Sequence, residues 1–126
     1  KGAKAVKHVV EEAAEKAVKT GGRRGSKAHR DSAEKVAREW EEKGWTLRGG
    51  GYEDERRVGT PGGKKNYRYP DVWLEKTVDG QTMTVYIQVV RYLKDGKTLP
   101  KREREAKADL ERSKPNVKVE TVPVGY

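Results

Sequence analysis

Residues 67–91, YRYPDVWLEKTVDGQTMTVYIQVVR, restrict the fold more than any other segment of the chain. Two runs rich in Val, Thr, Tyr and Trp flank Asp79 and Gly80, a dipeptide that tolerates the positive φ angles of a tight hairpin turn. The sequence therefore predicts one strand over 69–76 and a second over 83–91. Alternation along the second strand places Thr84, Tyr86 and Gln88 on one face and Val85, Ile87 and Val89 on the other.

Helical and extended patterns surround this hairpin in a fixed order. Residues 26–43 predict a helix, because Ser26 can cap it and apolar residues recur at three- and four-residue spacings before Gly44. Pro100 opens another helix that ends before Pro115. Short strands are expected over 45–48 and 117–124, with a long polar loop over 52–66. This order predicts an α/β domain whose mixed sheet is flanked by helices, with the core order α-β-β-β-α-β.

The N-terminal part of the chain is different in character. Residues 3–19 predict a helix with a narrow apolar face, and the Gly- and Arg-rich residues 20–25 predict a flexible basic linker. We expect residues 1–25 to be an accessory segment and residues 26–126 to be one main domain. Because the chain begins at Lys1 and not at Met, we interpret it as a fragment of a larger protein.

Composition excludes several classes of site. The chain has no cysteine, which rules out a disulfide scaffold, a thiol nucleophile and thiolate-bound metals. No apolar run approaches the roughly 20 residues that cross a bilayer, so no stable membrane association is expected. The two histidines make a Ser-His-Asp arrangement improbable.

The charge balance indicates an acidic partner. Lys and Arg number 29 against 20 Asp and Glu, a formal net charge of +9. Many of these cations lie in loops interleaved with tyrosines, a pattern typical of a surface that binds phosphates and stacks on unpaired bases. The alternative is that these cations only form a solvated surface, but solvation alone does not require such an excess of positive charge. The candidate contacts to nucleic acid are Arg56, Arg57, Lys64, Lys65, Arg68 and Arg102.

Three polar residues near the hairpin are candidates for chemistry. Asp71 enters the first strand after a proline, and Gln88 lies late on the neighbouring strand, so the two can meet and hold Mg²⁺ or Mn²⁺ against a phosphate. Taken singly, they are more often a turn residue and an exposed strand residue. Glu103 shares a helical stripe with Ala106 and Leu110, and a carboxylate facing the sheet needs a cation or donor nearby.

Two residues of the first helix have alternative interpretations. Glu34 is a candidate third metal ligand, although a solvated helix residue beside Lys35 and Arg38 is the simpler interpretation. His29 can be a base or a histidine of the capping turn, and the second interpretation is favoured.

Residues 62–111 contain an RYPD strand start, a strand ending in QVV, and an RExxAxxDL helix. This stretch resembles the C-terminal toxin domains of bacterial polymorphic toxins, including Rhs-type and contact-dependent growth inhibition effectors. Such domains belong to the restriction-endonuclease-like, PD-(D/E)xK nuclease superfamily. In element order the resemblance extends over residues 26–124. It implies a restriction-endonuclease-like mixed sheet, here with an extra N-terminal helix.

The resemblance also implies a metal-dependent endonuclease. The superfamily's metal-binding Asp falls on Asp71 and its second acidic position on Gln88, while a first-helix Glu that often completes the site would be Glu34. The implied catalytic residues are Asp71, Gln88, Arg91 and Glu103, with Mg²⁺ (or Mn²⁺ or Zn²⁺) as cofactor. The chain departs from the pattern at Gln88, and at Val90, where a lysine is expected.

Function and partners follow as expectations from the same resemblance. The substrate would be tRNA or DNA, with tRNA favoured, and an acidic immunity protein would neutralise the domain in the producing cell. The parent protein would be a secreted or cell-surface effector that delivers this fragment into the target-cell cytoplasm. A non-catalytic nucleic-acid-binding module on the same fold is the main alternative, and an interaction domain for an acidic protein is a more distant one.

Overall fold

The computed structural model describes residues 26–126, so the helix and linker expected within residues 1–25 lie outside the described part. Neither helix of that part has the length and apolar character needed to cross a membrane. The elements are α1 (Lys27–Glu42), β1 (Thr46–Gly50), β2 (Val58–Gly59), β3 (Tyr67–Arg68), β4 (Val72–Val78), β5 (Gln81–Val90), α2 (Lys101–Glu111) and β6 (Val117–Pro123).

The four longer strands form one mixed sheet in the order β1-β4-β5-β6. Strand β4 is antiparallel to both β1 and β5, whereas β6 is parallel to β5, as expected when a strand returns through a helix. The predicted mixed α/β class is therefore confirmed. The hairpin turn is also where the sequence placed it, with φ of 52° at Asp79 and 78° at Gly80.

Two features differ from the sequence prediction beyond shifts of one or two residues at the strand ends. Strand β4 begins at Val72 and not at residue 69, because Asp71 leaves the ladder and bonds to β5 through its side chain. Strands β2 and β3 were not predicted; they form a separate antiparallel pair in which Val58 is opposite Arg68. This pair closes the polar loop that the sequence indicated over 52–66.

The sheet has a helix on each face. On one face, Ala33, Val36 and Ala37 of α1 pack against the sheet; on the other, Leu110 of α2 packs with Tyr86. The alternation predicted for β5 is thus confirmed. The α1 side holds Val72, Leu74, Val85, Ile87 and Val89, and the α2 side holds Val58, Tyr86 and Val119.

Candidate functional site

The candidate site lies where β4 and β5 separate. The last backbone pair of their ladder is Val72 with Ile87. Beyond it, the Val89 N–H donates to Asp71 Oδ2 at 2.8 Å, and the Asp71 N–H donates to Gln88 Oε1 at 2.9 Å. Side chains thus replace the next ladder bonds, which leaves Asp71 and Gln88 side by side at the open end of the hairpin.

Strand β1 fixes the Asp71 backbone from the other side. The Gly51 N–H donates to the Asp71 carbonyl at 2.9 Å. Gly50 has φ of +71°, and a Cβ there would lie 2.0 Å from the Asp71 carbonyl oxygen. Only glycine permits this approach, so the Gly-rich end of β1 helps to place Asp71.

His29 holds the Asp71 carboxylate from α1. Its Nε2 lies 3.4 Å from Asp71 Oδ2, and its Nδ1 is buried without a hydrogen-bond partner. Burial lowers the pKa of His29, but the hydrogen bond to Asp71 and the charge of that carboxylate outweigh burial, so the pKa lies above its ordinary 6.5. Because Nδ1 is enclosed and Nε2 faces Asp71, the His29 side chain is placed to orient that carboxylate.

Sequence reasoning missed this role of His29. Its backbone does belong to the capping turn, since the His29 N–H donates to Ser26 Oγ at 3.2 Å. Its side chain, however, lies on the helical stripe that Ala33 and Val36 bury against the sheet. A histidine on a buried stripe requires a polar partner on the element against which the stripe packs. The position of His29 on the stripe therefore indicated a polar partner on the sheet.

Glu103 brings a second carboxylate to the site from the first turn of α2. Burial raises its pKa and the charge of Asp71 raises it further, while Arg102, His29 and Arg68 partly offset both effects. The net pKa lies above the ordinary 4.5. Two carboxylates that repel each other in a half-buried position are typical of a site for a cation or a proton transfer.

Two adjoining cavities open at the Glu103 carboxylate, and Asp71 is not among the residues that line either of them. Glu103 and Arg102 line both of them. The smaller cavity, about 260 Å³, is also lined by His29 and Arg91. The larger one, about 770 Å³, is a groove between loop residues 64–69 and the first two turns of α2, and Gln88 also lines it. We call this larger cavity the basic groove, because its four basic residues outnumber the two acidic ones, Glu103 and Glu105; the basic residues are Lys64, Lys65, Arg68 and Arg102.

Asp109 of α2 holds the loop side of the basic groove. Its carboxylate accepts the Lys64 and Lys65 N–H groups at 3.0 and 3.1 Å and the Arg68 Nε and Nη2 at 3.0 and 2.8 Å. Asp109 is only 2% exposed. At Gly63, a Cβ would lie 2.5 Å from Asp109 Oδ1, so the loop requires glycine there. Since Arg68 donates to this carboxylate, it fixes the loop and is no longer a free cation.

These contacts set the ionisation of Asp109. Burial raises the pKa of its carboxyl, but the hydrogen bonds from Arg68 and from the Lys64 and Lys65 amides outweigh burial and hold the pKa below 3.8. The charge of Asp109 is therefore fully developed at neutral pH. The backbone bonds of Thr60 to Asn66 and of Gly63 to Thr60 complete a loop whose shape is fixed without a ligand.

No family model, no curated protein and no solved structure matches this chain. The chemistry of the site itself therefore carries the functional proposal.

Two other residues expected at the site have partners of their own, and the position where a lysine was expected is enclosed. Glu34 Oε2 pairs with Arg38 Nε at 3.0 Å, one helical turn away, on a partly exposed surface of α1. Arg56 lies over the Trp73 ring, with its guanidinium carbon 5.3 Å from the ring centroid. Val90, at the position where a lysine was expected, is buried. Of the predicted metal ligands, the structure thus brings together Asp71 and Gln88 only.

The donor set of the site can be compared with two common modes of metal binding. Within residues 26–126, no group of three His, Cys, Asp or Glu side chains is arranged to bind a metal ion, which is the minimum that Zn²⁺ sites use. Mg²⁺ needs only one or two carboxylates, because water and substrate phosphate complete its shell. Asp71 and Glu103, whose charges repel, fit this second mode. Gln88 fits it less well, because Oε1 already accepts from Asp71.

Proposed function

We propose that residues 26–126 form a metal-dependent endonuclease of the restriction-endonuclease-like, PD-(D/E)xK type. One observation carries this proposal: Asp71, held by the Val89 N–H and by His29, bonds through its own N–H to Gln88, which together with Glu103 lines a basic groove. Carboxylates next to cations are what hydrolysis of a phosphodiester requires, since the carboxylates manage water and metal while the cations bind the phosphate.

The roles of the chain's residues follow from their chemistry. Asp71 and Glu103 would hold Mg²⁺, which when bound neutralises phosphate charge and makes water a better nucleophile. Burial and the charge of Asp71 raise the pKa of Glu103, and a bound cation would offset that cost of ionisation. Arg91 and Arg102, in the smaller cavity, provide guanidinium groups for the phosphate oxygens. The Gln88 amide retains its N–H₂ as a donor, while His29 keeps Asp71 oriented.

We further propose that this nuclease is the toxin domain of a bacterial competition effector. The support is the resemblance of residues 62–111 together with the cationic groove. A toxin of this kind requires an immunity protein, and an acidic one would cover the basic groove and exclude substrate. The substrate is tRNA or DNA, with tRNA favoured, in the cytoplasm of the target cell.

The second candidate is a nucleic-acid-binding module without catalysis. Two observations favour it: Gln88 replaces an acidic ligand and bonds to the Asp71 backbone, and buried Val90 replaces the catalytic lysine. Arg91 cannot take over that lysine's role as a base, because a guanidinium stays protonated.

One experiment separates these functions. The purified chain is incubated with total tRNA and with plasmid DNA, in Mg²⁺ and in a chelator, and binding is measured on the same samples. Cleavage that requires Mg²⁺ supports the endonuclease, and cleavage that continues in chelator would contradict the metal-dependent mechanism. Binding without cleavage would support the second candidate. If neither binding nor cleavage is observed, both candidates are excluded, and an interaction domain for an acidic protein remains.

Replacing Glu103 by Gln should stabilise the protein and slow cleavage by about 100-fold or more. The folded state raises the pKa of Glu103, so ionising it opposes folding. This penalty is absent below about pH 4.5, the ordinary pKa, and is complete above the raised folded pKa. Urea denaturation should therefore show a more stable Glu103→Gln variant at pH 7 and equal stabilities near pH 4. A variant that loses stability at pH 7 would mean that Glu103 is structural.

A further inference from the structure

Two tyrosines of the basic groove present their side chains to solvent. Tyr67 is 48% exposed and Tyr69 is 38% exposed, and both line the groove. Their rings meet edge to face, with centroids 5.9 Å apart and planes at 88°. Exposed aromatic rings in a cationic groove are costly in water and are the feature that proteins use to stack bases.

The surroundings of these rings are cationic and fixed. The Arg57 guanidinium lies 5.2 Å from the centroid of the Tyr67 ring, and the exposed Lys64 and Lys65 precede it in the loop. Asp109 binds the loop through the Lys64 and Lys65 N–H groups and the Arg68 side chain, so the backbone that carries the tyrosines is tied to α2 before a ligand binds.

The size of the groove bears on the form of the ligand. About 770 Å³ lies within the range of sites that enclose one small molecule, roughly 300–1,000 Å³. A paired base offers no face to a tyrosine because its neighbours in the stack cover it, whereas an unpaired base does.

We propose that the basic groove is a subsite for an unpaired nucleotide, whose base stacks on Tyr67 or Tyr69 while Lys64, Lys65 and Arg102 bind the flanking phosphates. The domain then selects single-stranded nucleic acid or loops over duplex. This inference rests on the proposed function only in taking nucleic acid as the ligand, and it concerns binding and not cleavage.

Fluorescence anisotropy tests this selection. The probes are labelled single strands of about ten nucleotides, as DNA and as RNA, and the same sequence annealed to its complement. All titrations are done in chelator and repeated in the Asp71→Asn background, so that cleavage of the probe cannot imitate weak binding. We expect tighter binding of the single strands than of the duplex. Tyr67→Ala or Tyr69→Ala should weaken single-strand binding by about 5- to 150-fold, which corresponds to the loss of one stacked base.

Matched variants isolate the stacking. Tyr67→Phe should bind as the wild type does, because stacking needs the ring and not the hydroxyl. Tyr52→Ala is the control for loss of an exposed tyrosine, since Tyr52 is 39% exposed and bonds to Glu41 of α1, away from the groove lining. Thermal melting checks that all variants are folded.

Three results would overturn the proposal. They are equal affinity for single strand and duplex, alanine variants that bind like the wild type, and competition by polyglutamate as effective as by the oligonucleotide. Failure of the proposed nuclease is a separate result. A chain that binds single strands through its tyrosines and cuts nothing would contradict cleavage alone. A chain that cleaves, but whose single-strand affinity does not change when Tyr67 or Tyr69 is replaced by Ala, would contradict the subsite alone.

Discussion

Replacing Asp71 by Asn is expected to slow phosphodiester cleavage by at least about 100-fold while leaving the fold intact. The Asn carbonyl can still accept the Val89 N–H, and its backbone N–H can still donate to Gln88, so the fork between β4 and β5 is preserved. The substitution removes the negative charge that would hold a cation and that faces His29. The measurement is the initial rate of cleavage at saturating Mg²⁺.

Asp31→Asn is the matched control for this prediction. Asp31 is an exposed carboxylate of α1 that pairs with Lys27 at 2.8 Å, outside the two cavities of the site. We expect this variant to cleave as the wild type does, and we expect Asp71→Asn to bind oligonucleotides at least as tightly, since it removes a negative charge near the groove. Equal rates for the two variants would show that Asp71 takes no part in the reaction.

Asp109→Ala is expected to lower the free energy of unfolding by about 3–5 kcal/mol, the usual cost of removing one partner of a buried ion pair. The substitution leaves Arg68, which is only 13% exposed, without its carboxylate, and it removes the acceptor of two loop N–H groups. Because domains of this size are stable by about 5–15 kcal/mol, the loss is a large share of the total. Urea denaturation at pH 7 measures it.

The control for Asp109 lies on the same helix. Glu111 pairs with Lys107 at 2.7 Å on an exposed surface, so Glu111→Ala should cost no more than about 1 kcal/mol. The contribution of Asp109 to the free energy of unfolding should also decrease at low pH. This contribution is present above about pH 3.8 and is lost as the pH falls through the lowered pKa of the folded state. If Asp109→Ala unfolds too readily to measure, Gly63→Ala disturbs the same contacts, and stabilities of both variants within 1 kcal/mol of the wild type would refute the role of Asp109 in the loop.

Local sequence signals were sufficient for the larger elements. The Asp79-Gly80 turn, the alternation along β5 and the Ser26 cap each depend on residues close together in the chain, and the structure has all three. The two short strands β2 and β3 were not predictable in this way. They contain only two residues each and depend on Asp109, a side chain far along the sequence.

The site was predictable only in part for the same reason. Adjacent strands pointed to Asp71 and Gln88 together, but not to the bond by which the Gln88 oxygen accepts from the Asp71 N–H. The resemblance made Glu34 a candidate ligand, but its side chain pairs with Arg38, four residues along the same helix. The contact of His29 with Asp71 joins α1 to the start of β4. The helical stripe pointed to a polar partner on the sheet, but no local pattern identified Asp71 as that partner.

A double-mutant cycle on the single-turnover cleavage rate tests the central claim most directly. It compares the wild type, Asp71→Asn, Glu103→Gln and the double variant on one labelled oligonucleotide. If the two carboxylates act as one unit on one phosphodiester, the double variant should be about as slow as the slower single variant. Losses that multiply, or either single variant cleaving at the wild-type rate, would contradict a shared catalytic site at Asp71 and Glu103.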